Sequence, residues 1–197
     1  MRLVLASNSA TRASMLTGAG LIFERVAADV DERAVEEALE GSGAGTDDVA
    51  QVLADVKAVE VSIRRPDALV IGADQMLSLA GRRFHKAPDM AAAKRQLLAL
   101  AGRSHVLSSA VACARGGEVV WRHVAEARLT MRPFGEAFVD HYLSIVGEQA
   151  LASVGGYQIE GLGIQLFEEI EGDHFTILGM PLLPLLGFLR EEKVLET

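Results

Sequence analysis

A chain of 197 residues, half of them hydrophobic and 23% charged, is long enough to bury a real core, short for two independent domains, and too apolar to stay disordered. Its formal net charge of −8 argues against a nucleic-acid partner, which needs a basic face to displace counterions from a polyanion. A small anionic ligand stays open, because it asks only for a few local cations and backbone N–H groups.

Leu3-Val4-Leu5-Ala6 is an apolar run that ends in Ser7-Asn8-Ser9, the pattern of a buried strand leaving a sheet into a polar turn. It is too short for a signal-peptide core, and no apolar stretch approaches the ~20 residues of a membrane span, so the expectation is a cytoplasmic protein without a membrane partner. A helix follows from about Ala13 to Ala19 and closes at Gly18 or Gly20, with a second strand at Phe23 to Val26. The chain turns acidic at Asp29-Val30-Asp31-Glu32 and then flexible at Gly41-Ser42-Gly43-Ala44-Gly45, a loop ahead of a long amphipathic helix. Thr46 or Asp47 is the expected N-cap of that helix, Val49, Val52, Leu53, Val56, Val59 and Ile63 keep helical spacing, and Lys57 interrupts neither face.

Arg64-Arg65-Pro66-Asp67 is a stop signal, and Ala68 to Ala73 is the most strand-like segment of the chain, ending at Asp74-Gln75. A hairpin through Ala80-Gly81-Arg82 precedes a helix from about Asp89 to Ala101, whose apolar face includes Met90, Ala93, Leu97, Leu98 and Ala101. Ser104 to Ala114 and Val119 to Met131, on either side of Arg115-Gly116-Gly117-Glu118, read as long paired strands. Gly135 to Val146 reads as a helix, Gly155 to Gly163 as a glycine-punctuated stretch, and Pro181 opens a final helix with Leu182, Leu185, Leu186 and Leu189 on one face. Alternating strands and helices predict an α/β fold with a mixed central sheet and flanking helices, in a single domain over residues 1–197.

Two strands deliver polar side chains at their carboxyl ends, where ligands bind in open α/β sheets. If the two are parallel, Ser7, Ser9 and Arg12 face the same place as Asp74. Ser7-Asn8-Ser9 leads into a helix N-terminus, whose unpaired N–H groups and dipole favour phosphate, and Arg12 adds a planar donor fork; the plainer alternative is a serine that only caps the helix. Asp74 suits a divalent cation or the activation of water, against the alternative of a turn aspartate. Taken alone, Glu32 is a solvated acid and Lys57 and Lys86 are surface lysines, while Cys113 in its apolar run is a small buried hydrophobe. The sequence has no phosphate loop, no dinucleotide fingerprint, no Cys-x-x-Cys, no serine-hydrolase elbow and no zinc spacing among its 5 histidines, which excludes the usual kinases, dehydrogenases, zinc enzymes and α/β-hydrolases.

Read together and in order, the segments resemble the Maf family. Leu5-Ala6-Ser7-Asn8-Ser9-Ala10-Thr11-Arg12 is similar to its N-terminal loop, Asp31-Glu32 to its acidic pair, Lys57-Ala58 to its helix motif and Ile71-Gly72-Ala73-Asp74-Gln75 to its strand-end motif. Lys86 to Pro88, Gly156 to Gly163 and Gly179-Met180-Pro181-Leu182 resemble its later signatures. Each motif is weak alone, but the ordered set spans almost the whole chain.

The resemblance implies two lobes around a cleft, a homodimer, a divalent cation (Mg2+ or Mn2+), and cleavage of a nucleoside triphosphate between the α and β phosphates. It makes Asp74 the base that activates water, Glu32 and Asp74 the metal-holding carboxylates, and Ser7, Ser9, Arg12, Lys57 and Lys86 the phosphate clamp. It assigns base specificity to Arg12, Gln75 and Glu160; Gln75 with Glu160 resembles the class associated with 7-methyl-GTP, whereas Thr and Gln there mark the dTTP/UTP class. Two departures stand out: Ala13 replaces a second arginine, and Ala87 separates Lys86 from Pro88 and blurs the register of that lysine. A dTTP/UTP pyrophosphatase of the same family and a nucleotide-responsive regulator of cell division without turnover are the alternatives.

Overall fold

Leu3, Leu5, Leu69 and Ile71 bury one face of two neighbouring parallel strands against one helical layer, and Val4, Ala68 and Val70 bury the other face against a second. Strands buried on both faces read as continuous apolar runs rather than alternating ones, which is why these segments are so clear in the sequence. The computed structural model describes residues 2–196. In chain order the elements are β1 (Arg2–Leu5), α1 (Ala10–Gly18), β2 (Glu24–Arg25), α2 (Glu32–Ala38), α3 (Thr46–Arg64), β3 (Ala68–Leu79), β4 (Arg82–Phe84), α4 (Met90–Leu100), β5 (Ser104–Arg115), β6 (Glu118–Met131), α5 (Glu136–Val146), β7 (Phe167–Glu171), α6 (His174–Ile177) and α7 (Leu182–Glu191). The sheet order is β2-β1-β3-β5-β6-β7, with β4 on the far end of β3. β1 pairs parallel with β2 and β3, whereas β3–β4 and β6–β7 are antiparallel, so the fold is α/β with a mixed sheet.

The chain divides into two compact units built from separate stretches. One comprises the residues up to Gln75, Ser108–Glu126 and those from Asp173 onward; the other comprises Met76–Leu107 and Ala127–Gly172. In the first unit, Leu16 of α1 and Leu185 and Leu189 of α7 cover one face of β1 and β3, and Val61 of α3 covers the other. In the second unit α4 packs against α5 and the 3-10 turn Gly147–Leu151.

Several expectations change. α1 begins at Ala10 rather than Ala13, because Ser9 Oγ accepts the Arg12 N–H and starts the helix earlier. α3 is capped at Gly45 and not by Thr46 or Asp47; Asp48 reaches back to accept the Gly45 N–H at 3.0 Å. α2 was hidden in the acidic stretch, since none of its residues is buried and it carries no apolar stripe to read. β3 does not end at Asp74-Gln75 but continues to Leu79, turning through Ala80 and Gly81, both at positive φ, into β4. What ends near Asp74 is its neighbour: β1 stops at Leu5, opposite Ile71, and leaves β3 to run on without it.

Candidate active site

Gly72 decides how closely β3 and α3 approach. A Cβ there would overlap Ala54 O and stand 2.7 Å from Ala58 N, both backbone atoms of α3. One pleat further along the same strand face comes Asp74, and one residue before Ala58 on the helix comes Lys57. Lys57 Nζ donates to Asp74 Oδ1 at 2.6 Å and to Glu32 Oε1 at 2.8 Å. The side chains of Lys57 and Asp74 are each 10% exposed, so Lys57 belongs to the buried face of α3 and is no surface lysine. An ammonium has three donors, and two carboxylates here use two of them.

Because β1 and β3 are parallel, the loop after β1 lies beside β3 at the level of Ala73 and Asp74, where β1 has stopped pairing. Arg12 Nη1 donates to Ala73 O at 2.9 Å and to Ser7 Oγ at 3.4 Å, and its Nε donates to Gly179 O at 2.9 Å. Burial lowers the guanidinium pKa from its ordinary value, opposed by the charges of Asp74 and then Glu32. An arginine stays cationic through such a shift, so Arg12 is a fixed positive charge facing two carboxylates. Gly179 lies in the left-handed region at φ 99°; a Cβ there would stand 3.5 Å from Gln75 Oε1 and 3.6 Å from Arg12 Nη2.

The capping alternative is the one seen for the serines. Ser9 caps α1, and Ser7 Oγ accepts the Ser9 N–H at 3.1 Å, while each hydroxyl keeps its own proton to donate. The first N–H groups of α1 have no partner within the helix and no acid stands in its first turn, which leaves a positive helix end beside Arg12. Ala13 is buried among Leu5, Leu16 and Ile71, so in this chain position 13 is core.

Gln75 points to the opposite face of β3 from Asp74. Its Nε2 donates to Ser109 Oγ at 2.9 Å, Ile177 O at 3.0 Å and Thr176 O at 3.1 Å, and Ser109 Oγ donates to Thr176 O at 2.7 Å. The two carbonyl acceptors fix which end of the amide is the NH2. The sequence reading missed Ser109, although Ser108-Ser109 inside the apolar β5 was the available signal: a polar side chain in a buried strand requires a partner.

The structure thus brings Ser7, Ser9, Arg12, Glu32, Lys57, Asp74 and Gln75 into the first unit. Lys86 and Glu160 belong to the second. Lys86 is exposed and its backbone makes a single antiparallel bridge with Val154. Glu160 is exposed in the turn that follows Tyr157, whose Oη lies 2.7 Å from His105 Nε2 and whose carbonyl accepts from Ser153 Oγ at 2.6 Å. Among the described residues no three His, Cys, Asp or Glu side chains converge as a ready metal cage. Two hard carboxylates flanking one cationic point still suit a cation such as Mg2+, which is often held by one or two carboxylates and completed by water and substrate phosphates.

The family model described as Maf-like protein matches residues 2–192. The chain belongs to the Maf family. Among its relatives in that family, a Mesorhizobium japonicum protein named 7-methyl-GTP pyrophosphatase is 59% identical over 189 residues, covering 96% of this chain and 95% of its own. A Brucella abortus protein of the same name is 54% identical over 196 residues, covering 100% and 98%. A Rhodopseudomonas palustris Maf relative named nucleoside triphosphate pyrophosphatase is 54% identical over 193 residues, covering 98% and 95%.

Proposed function

We propose that this Maf protein hydrolyses nucleoside triphosphates to a monophosphate and pyrophosphate, with 7-methyl-GTP as the preferred class of substrate. The observation that carries the reading is the Lys57 ammonium held between Asp74 and Glu32, with Arg12 bonded to the residue next to Asp74. Phosphoryl-group chemistry asks a protein mainly for positioning and charge neutralisation, and this cluster supplies both. Arg12, the Ser7 and Ser9 hydroxyls and the N-terminus of α1 bind phosphate oxygens, and Lys57 offers its third N–H to them. Asp74 takes the proton of the attacking water; one of its oxygens is anchored by Lys57, which orients the other. Glu32 and Asp74 would hold the divalent cation, Mg2+ or Mn2+, which would supply charge neutralisation on the phosphates.

Lys86 as a phosphate ligand and Glu160 as the reader of the base belong to the same proposal. A carboxylate accepts from the guanine N1–H and exocyclic amine and favours a cationic methylated ring, whereas uracil presents one imide N–H between two carbonyls. The names of the 54–59% identical relatives support the same choice. We also place the protein in the cytoplasm as a homodimer, in keeping with a nucleotide substrate; no helix among the described residues is long and apolar enough to cross a membrane.

The test is a panel of triphosphates with Mg2+ or Mn2+, scored for products. Monophosphate plus pyrophosphate, with 7-methyl-GTP ahead of UTP and dTTP and no turnover in excess chelator, is expected. A diphosphate plus orthophosphate would place the protein in another class of phosphatase, and nucleotide binding without any turnover would favour the regulator.

A further inference from the structure

Glu32 poses a physical problem. It opens α2, a seven-residue helix with no buried residue, and its side chain is 53% exposed, yet its Oε1 meets Lys57 Nζ at 2.8 Å. α2 lies against α3, with Val35 and Glu36 half-buried, but a helix this short with no fully buried residue gains little from packing. Asp31 caps it, accepting the Ala34 N–H at 3.0 Å, but a cap fixes the helix start and not its position against β3.

A row of side chains on α3 adds a constraint on the segment that leads into α2. Lys57, Glu60 and Arg64 stand at i, i+3 and i+7, on one face of the helix. Arg64 Nη2 donates to Ala27 O at 2.8 Å and to Glu60 Oε2 at 2.7 Å. The same Glu60 oxygen accepts the Asp29 N–H at 3.1 Å. The chain leaving β2 is therefore tied first to β1, through Val26 N to Leu5 O at 3.0 Å, then to α3 at Ala27 and Asp29, and it reaches Lys57 through Glu32. An ordinary i,i+4 ion pair on a surface contributes little. This one differs because each partner also bonds the backbone of another segment. The Glu60 carboxyl accordingly lies below its usual range, chiefly through the Arg64 hydrogen bond with a smaller contribution from the Asp29 N–H, and Arg64 is raised through Glu60.

We propose that Glu60 and Arg64 are positioning residues that strap residues 27–31 onto α3 and thereby fix the Glu32 carboxylate beside Asp74. The proposal rests on the reading of Glu32 as a metal-holding carboxylate. Glu60 and Arg64 bond residues 27 and 29 and each other; removing the strap loosens Glu32 without deleting it, much as loss of an outer-shell partner weakens a metal site.

The test uses the full chain without nucleotide and has two readouts: amide hydrogen exchange over residues 27–35, and Mn2+ affinity by calorimetry. Glu60→Ala and Arg64→Ala are expected to speed exchange in that segment and to weaken Mn2+ binding about tenfold. Glu60→Gln, which keeps an acceptor for the Asp29 N–H but loses the charge facing Arg64, is expected to show a smaller change in both. Adding Glu60→Ala to Glu32→Gln should weaken Mn2+ no further, because the strap acts only through Glu32. Arg33→Ala, which removes the exposed Arg33–Glu37 pair on α2 itself, should change neither readout. Unchanged exchange in Glu60→Ala, or unchanged Mn2+ affinity beside a weakened Glu32→Gln, overturns the strap. Mn2+ binding unaffected by Glu32→Gln removes the metal-holding role of Glu32, and the functional half of this proposal falls with it.

Discussion

Lys57 and Asp74, seventeen residues apart in sequence, meet at 2.6 Å across the contact between α3 and β3, each with a side chain only 10% exposed. Removing one partner of a buried pair leaves the other charge uncompensated, which costs about 3–5 kcal/mol. Lys57→Met is therefore expected to lower the stability by several kcal/mol in urea denaturation, and to abolish turnover. Because the variant leaves Asp74 and Glu32 facing an empty cationic position, Mg2+ should raise its Tm more than that of the wild type. No Mg2+ shift in either protein would separate the carboxylates from cation binding, and equal shifts would show that Lys57 does not compete with the cation.

Gly72→Ala tests the geometry underneath that pair. The added methyl group would overlap Ala54 O and crowd Ala58 N, so α3 must move off the strand and carry Lys57 with it. The variant is expected to lose about 2–4 kcal/mol, well beyond the usual effect of glycine to alanine, and to lose activity further through the displaced lysine. A thermal melt within a degree of the wild type would refute the close approach of β3 and α3.

His105 gives the protein an acid-sensitive core. It is 1% exposed, its Nε2 bonds Tyr157 Oη at 2.7 Å, its Nδ1 has no partner, and burial pushes its pKa down from 6.5 to about 4. The native protein keeps the ring neutral between these values while the unfolded chain takes up a proton. Stability is thus full above pH 6.5 and falls as pH drops towards 4, by up to roughly 3 kcal/mol. Urea midpoints measured from pH 7.5 to 4.5 should show the loss, and His105→Gln should flatten it. The same slope in the variant would mean that other groups carry the acid sensitivity.

Gln75 and Glu160 differ in what they cost to exchange. Gln75 braces the backbone at Thr176 and Ile177; Ser109 Oγ still donates to Thr176 O without it, but Gln75→Thr takes the side-chain donor from Ile177 O and is expected to cost about 1–3 kcal/mol. Glu160 is exposed, and Glu160→Gln should stay within about 0.5 kcal/mol of the wild type. Together they are expected to shift the kcat/KM ratio of 7-methyl-GTP to UTP about ten- to hundredfold towards UTP. An unchanged ratio in a folded double variant would remove base recognition from this pair.

The parts of the fold that were legible in the sequence are those whose burial repeats: the apolar runs of β1 and β3, the long strands on either side of Gly116-Gly117, and the leucine face of α7. α2 was not legible because it buries nothing, and the end of β3 was misplaced because Asp74-Gln75 looks like a strand terminus when it is only the point where β1 stops pairing. Arg12, Asp74 and the serine loop could be picked out at strand ends by local chemistry alone. Lys57 could not, since only the resemblance to a family separated it from a surface lysine. Ser109, Glu60 and Arg64 act through carbonyls and amides far away in sequence, and no local pattern announces such partners.

Pyrophosphate release by wild type and Asp74→Asn, measured side by side with 7-methyl-GTP and Mg2+, tests the central claim most directly. The amide that replaces the carboxylate keeps an acceptor for Lys57, so the fold should persist by circular dichroism and thermal melt while the base is gone. The expected result is stoichiometric monophosphate and pyrophosphate from the wild type and a rate at least ~10²-fold lower from the variant. Near-wild-type pyrophosphate release from correctly folded Asp74→Asn would contradict the assignment of this site as the place where the triphosphate is cut.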